Sequence, residues 1–89
     1  MEGLSRSVAL EAAPFGVRVN AVAPGVIETG MLNRFAGTVE NKAALASEAP
    51  LARIGEPDEI AQAIVFAASN KSSYMTGHIL AIDGGRAAT

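Results

Sequence analysis

The sequence has no cysteine and no tryptophan, and only one histidine and one tyrosine. Without cysteine there is no disulfide framework and no thiolate metal site, which agrees with a cytoplasmic location. A single histidine leaves only carboxylates to hold a metal. These are scattered, so no metal site is expected. Positive charge is also short: seven Lys and Arg stand against nine Asp and Glu, for a net charge of −2. The cations are spread singly with no basic stripe, which argues against a nucleic-acid partner. No apolar run approaches the ~20 residues of a membrane span. The N-terminus lacks the charged start and apolar core of a signal peptide. There is no Gly-x-Gly-x-x-Gly and no phosphate loop, no internal repeat and no low-complexity tract. The serines have no neighbouring His or Asp that would make one a nucleophile.

What is present is a small apolar chain. Hydrophobic residues are 49% of the 89, yet aromatics are only 4%. Much of the apolar content is alanine, which buries little per residue. A chain of this length makes at most one small domain and covers only roughly 60–65% of its unfolded surface. An open sheet of this size would be weakly stable.

Glu2 to Ala13 fits a helix. Met1, Leu4, Val8 and Ala12 form a stripe at spacings of three and four, widened by Ala9 and Leu10. Pro14-Phe15-Gly16 punctuates it. The helix begins without a capping residue, as though cut into rather than started. Val17 to Ala23 reads as a strand rich in valine. Its near-continuous apolar character, broken by Arg18 and Asn20, suits a parallel strand covered on both faces. It stops at Pro24-Gly25, and such a stop is where open α/β sheets place ligands.

Gly30 to Pro50 is mixed. Met31, Leu32 and Phe35 suit a short helical turn that Gly37 breaks. Thr38 suits the N-cap of a second short helix through Leu45 to Glu48, closed by Pro50. Such a segment reads either as a mobile cover over a site or as an ordinary surface loop. Pro57-Asp58-Glu59 is a clear helix start, with Pro at the first position and acids on the positive end of the dipole. Dipole pairing also accounts for the acidic cluster Glu56, Asp58 and Glu59 without a metal. Ile60, Ala61, Ile64, Val65 and Ala68 make the expected buried face, with Phe66 at its edge. Gly77 releases a second strand, His78 to Ile82, closed by Asp83-Gly84-Gly85. His78 is then a polar residue at a strand end. Two strands joined by one principal helix form a β-α-β unit with parallel strands and a right-handed crossover.

Spacing alone therefore gives a fold class and no activity. Leu4-x-Arg6-Ser7-x-Ala9-Leu10-Glu11, Gly16-Val17-Arg18-Val19-Asn20-Ala21-Val22-Ala23-Pro24-Gly25-x-Ile27-x-Thr29, Pro50-Leu51-x-Arg53-x-Gly55-x-Pro57-x-Glu59-Ile60-Ala61, and Tyr74-Met75-Thr76-Gly77 with Asp83-Gly84-Gly85 follow in order. Together they resemble the C-terminal part of the short-chain dehydrogenase/reductase family, over essentially residues 1–89.

The resemblance implies the last two strands and flanking helices of a Rossmann-type, doubly wound parallel α/β sheet, as part of one NAD(P)-binding domain. It implies NAD or NADP as cofactor, and a small alcohol or ketone as substrate of the parent enzyme. The backbone of Ile27 would bind the nicotinamide carboxamide, and the Thr29 hydroxyl the carboxamide or pyrophosphate. Pro24 and Gly25 would form the turn beside the ring. Read without the family, Pro24-Gly25 is a turn and Ile27 a core residue. Met31, Leu32 and Phe35 would face substrate, or serve plain packing. The family's glycine-rich loop and its active-site Asn, Ser and Tyr-x-x-x-Lys have no match in this sequence. No catalytic residue is therefore assigned, and the chain by itself is expected to be inactive, as a truncated piece or incomplete gene model would be. The alternative is a non-catalytic self-association module, a homo-oligomer formed through Pro57 to Ala68 and the last strand.

Overall fold

The computed structural model describes residues 2–36 and 38–89, apart from the side chains of Glu2, Phe35 and Ala36. Its helices are α1 (Glu2–Ala12), α2 (Gly30–Ala36), α3 (Val39–Ser47) and α4 (Pro57–Ala68). Its strands are β1 (Ala21–Pro24) and β2 (Ile79–Ile82), with short 3-10 turns at Ala13–Phe15, Asn70–Ser72 and Arg86–Ala88. The strands pair in parallel, Ala21 opposite Ile79 and Pro24 opposite Ile82. The α/β class and the parallel pair are as expected from the sequence.

The stripe on α1 is not buried. Ala9 is the only buried apolar residue among those described, at 2% exposure, while Leu4, Val8 and Leu10 stand in solvent. Among the described residues the helix packs chiefly on its own 3-10 continuation, and Ala9 lies against Gly77 at the approach to β2. Met1, the stripe's first member, lies outside the described residues. The helix ends one residue earlier than expected, and the chain reverses at Gly16, whose φ of 73° is left-handed.

The first strand is shorter than its apolar run. Val17 to Asn20 is not in the ladder, because other groups take its bonds. Val19 N–H donates to the Thr76 hydroxyl at 3.0 Å. The Asn20 amide donates to Met75 O at 3.0 Å and accepts from His78 N–H at 3.1 Å. The Arg18 guanidinium donates to the carbonyls of Ala67, Ser69 and Met75 and to the Ser72 hydroxyl, each at 3.1 Å. The two polar breaks in the run are thus the cross-links that bring the second strand alongside. Nor is β1 covered on both faces: Ala21, Val22 and Ala23 are half-buried.

Thr38 caps α3, its hydroxyl accepting from Asn41 N–H at 3.1 Å. The helix stops at Ser47, one residue short of Glu48 and ahead of Pro50. Gly37, expected to separate the two short helices, lies outside the described residues. Pro57 is the first residue of α4, and Glu56 and Glu59 form a reciprocal capping box. The buried face of α4 differs from expectation. Ile60, Ala63 and Ala67 are the more covered line, whereas Ala61, Ile64, Val65, Phe66 and Ala68 are exposed. Two strands are narrower than the helix's apolar face, so they cover one line of it and leave the rest bare. The second strand begins at Ile79, since His78 spends its N–H on Asn20.

Candidate functional site

The C-terminal ends of both strands meet one continuous run, Pro24 to Leu32. Gly25 extends the ladder, its N–H donating to Ile82 O at 3.0 Å. A Cβ on Gly25 would stand 2.8 Å from Asp83 Cα and 2.9 Å from Asp83 Cβ. Glycine is needed here because another backbone already fills that space. Asp83 is itself fixed, its carboxylate accepting from Gly85 N–H and Ala87 N–H at 3.0 Å each.

Beyond Gly25 the chain runs beside Gly55. Gly55 N–H donates to Val26 O at 2.9 Å, and Glu28 N–H donates to Gly55 O at 2.8 Å. Ile27 is therefore bridged in parallel to Gly55 through the groups of its two neighbours. Its own N–H and C=O point to the opposite side, as alternation along an extended chain requires. They have no hydrogen-bond partner among the described residues. The Ile27 side chain turns towards Gly55, where Cδ1 would come within 2.9 Å of an added Cβ. At Ile27, then, the side chain packs on Gly55 while the backbone N–H and C=O stay unspent among the described residues.

Thr29 caps α2. Its hydroxyl accepts from Leu32 N–H at 3.1 Å and its carbonyl from Asn33 N–H at 3.0 Å. The hydroxyl hydrogen remains as a donor. Sequence reasoning missed this cap, although a Thr just before an apolar helical turn is its ordinary signal. On α2, Met31 is exposed and Leu32 half-buried. Phe35 is in the helix, but its side chain lies outside the described residues.

A cavity of about 780 Å³ opens beside this run, lined by Val26, Ile27, Leu51, Ile60, Ile82 and their neighbours. Its wall carries Arg53 and Glu59, which pair fork to fork at 2.8 Å and 2.8 Å. Glu59 also accepts from Glu56 N–H at 3.0 Å. The Arg53 hydrogen bond, helped by that backbone N–H, holds the Glu59 carboxyl down from 4.5 to about 2. The same pairing raises Arg53. The cavity takes in Ile27 but not Pro24, Gly25, Thr29, Met31 or Leu32. Neither Gly55 nor the Arg53–Glu59 pair was singled out as part of a site. Its only sequence signal was the spacing Arg53-x-Gly55-x-x-x-Glu59.

His78 is exposed. Among the described residues no three His, Cys, Asp or Glu come together as metal ligands. The single tyrosine, Tyr74, is fully exposed and has His78, not lysine, four positions on. No helix of the described residues is long and apolar enough to cross a membrane.

The family model described as enoyl-(acyl carrier protein) reductase matches residues 1–87. A short chain dehydrogenase family protein from Francisella tularensis superposes with a TM-score of 0.88 at 36% identity, over 99% of this chain and 40% of that one. The chain belongs to the short-chain dehydrogenase/reductase family. Other members of the family are similar over most of its length. An uncharacterized oxidoreductase, YmfI, of Bacillus subtilis is 49% identical over 80 residues, which are 90% of this chain and 32% of that protein. The 3-oxoacyl-[acyl-carrier-protein] reductase FabG of Thermotoga maritima is 47% identical over 83 residues, 93% of this chain and 33% of that protein. A putative 2-deoxy-d-gluconate 3-dehydrogenase from Agrobacterium tumefaciens with bound NADP superposes with a TM-score of 0.90 at 38% identity, over 99% of this chain and 36% of that one. The chain spans about a third of the length of the curated relatives it matches.

Proposed function

We propose that this chain forms the nicotinamide-side wall and the substrate cover of an NAD(P)-dependent oxidoreductase site. The enzyme containing it would interconvert an alcohol and a ketone. The observation that carries this is the pair of unspent backbone groups on Ile27, one donor and one acceptor, just past the end of β1. A primary carboxamide needs just that pair, its oxygen accepting from Ile27 N–H and its NH₂ donating to Ile27 C=O. Thr29 adds a hydroxyl donor one step further on. Pro24 and Gly25 set the turn, with no side chain on Gly25 to block a flat ring. Met31 and Leu32 of the cover would face the substrate, and Phe35 is assigned with them on the sequence pattern alone. The cofactor, when bound, would give the hydride to the ketone or take it from the alcohol; the residues of this chain would orient its amide end and shield it.

Neither NAD nor NADP is favoured by any residue here, and the oxoacyl-carrier-protein and sugar chemistry of the named relatives leaves several substrates open. The sequence holds no tyrosine–lysine pair to move a proton, so the chain alone should bind cofactor weakly and turn nothing over. The test is a titration of NADH and NADPH followed by backbone NMR. Shifts confined to residues 25–32, reduced by Thr29→Ala, support the assignment. Shifts elsewhere with residues 25–32 unmoved would refute it, whereas dehydrogenase turnover by the purified chain would refute its expected inactivity.

A second reading rests on a separate observation. Ile64, Val65 and Phe66 are exposed together on α4, and the outer edge of β2 is unpaired in the two-stranded sheet. Self-association of two copies through α4 and β2 would cover both.

A further inference from the structure

Glu28 lies between the two residues assigned to the cofactor wall, Ile27 and Thr29, and its side chain pairs with the cover. Its carboxylate meets Lys42 Nζ at 3.0 Å, and both side chains are about one-third exposed, at 36% and 33%. Lys42 is on α3, in the second of the two short helices of the cover. The pair joins residues 14 apart in sequence. Glu28 is not free to follow Lys42, because its N–H is held on Gly55 O.

The rest of α3 is lightly held. Its main packing is on α2, itself a seven-residue helix. Val39 on α3 is exposed, and none of the helix's described residues is buried. Its far end is tied by a second ion pair, Glu48 with Arg86 at 3.4 Å. So α3 has an ion pair near each end, with Leu45 and Ala46 only half-buried between them.

We propose that the Glu28–Lys42 pair is the latch of the cover, setting how long α3 stays over the wall that Ile27 and Thr29 form. Lys42 is in this sense a positioning residue: it touches no reacting atom and acts through Glu28. The inference rests on the wall reading for its functional meaning. Glu28 is covalently between Ile27 and Thr29 and already held on Gly55, so the latch's anchor is built into the wall itself. The cover and the wall are then coupled through one charge pair. The pair meets at 3.0 Å in a half-shielded position, so salt should loosen the cover.

The test is amide hydrogen exchange on the whole 89-residue chain without cofactor, comparing α3 with α4 and β2 as internal references. Lys42→Glu or Glu28→Lys alone should speed exchange across α3 by about two- to fivefold, the effect of losing one partly exposed ion pair. The double variant with the charges exchanged should return to the parent rate, and Lys42→Arg should hold near it. Molar salt should speed α3 in the parent and leave Lys42→Glu unchanged. Unchanged α3 exchange in the single variants overturns the latch. So does equal acceleration of α4 and β2, which would mean general unfolding, or an exchanged pair no slower than the singles. An α3 with no protection in the parent overturns it as well. Because no cofactor is present, a failed NADH titration would refute the wall reading without altering this result.

Discussion

At Gly25 a single hydrogen is the difference between two strands meeting and not meeting. A Cβ there would stand 2.8 Å from Asp83 Cα, and backbone cannot swing aside as a side chain can. Gly25→Ala should therefore cost about 1–3 kcal/mol, the usual penalty for overpacking. Gly30 is the contrast. Nothing lies within 4 Å of an added Cβ, and Gly30 opens α2. Gly30→Ala should gain about 0.5–1 kcal/mol from helix propensity. Urea unfolding of the two variants side by side checks both signs. Arg18 is the other decisive residue. Its guanidinium serves four acceptors around the end of α4 and the following turn. No other side chain carries enough donors in a plane to do this. Arg18→Met keeps the apolar stem and should cost about 2–3 kcal/mol, since the acceptors lose a charged donor. Residues 70–78 should lose their exchange protection first. Arg18→Lys should recover only part of the loss.

Among the elements, α4 has the most explicit start, and its start titrates. Glu59 bonds Arg53 and the Glu56 N–H most strongly when ionised, and its folded value lies near 2 against an ordinary 4.5. A lowered carboxylate value means that the folded state holds the proton less tightly than the unfolded one. The stabilisation is thus complete above about 4.5 and is lost as pH falls towards 2. A thermal midpoint followed by circular dichroism should drop through that window, and Glu59→Gln should flatten the drop while lowering the plateau. The start of α4 was legible in the sequence because Pro57 and the acids act on their own helix. The cap Thr38 and the Pro24-Gly25 stop were legible for the same reason. The face α4 buries was not, because it depends on how many strands lie beneath it. Nor was the true length of β1, since Arg18 and Asn20 spend their bonds on residues 49 to 58 positions away. The Ile27–Gly55 bridge, which turns Ile27's own backbone groups outward, is likewise a long-range pairing with no local signature.

The whole molecule is too open for its size. Its accessible surface is 6254 Å², where a compact 9.1 kDa chain has about 4900 Å². Its radius of gyration is 15.5 Å, with extents of 50 × 22 × 22 Å, where a compact 89-residue domain has about 12 Å. Both excesses have one origin: most of the apolar faces of α1 and α4, and both outer strand edges, are left uncovered among the described residues. Such a surface binds whatever apolar surface is offered, and in a purified sample that is another copy. The chain should therefore sediment with a concentration-dependent mass at micromolar levels and bind a hydrophobic dye. The exposed α4 face offers the sharper form of this prediction. Val65 is 67% exposed and outside the line that packs on the strands. Val65→Lys should shift sedimentation towards monomer without lowering helix content. Leu10→Lys on α1, 76% exposed, is the matched control for a different face. If Leu10→Lys dissociates the copies and Val65→Lys does not, association runs through α1. If the parent chain is a monodisperse, cooperatively folding monomer, the open surface is tolerated and the association reading fails.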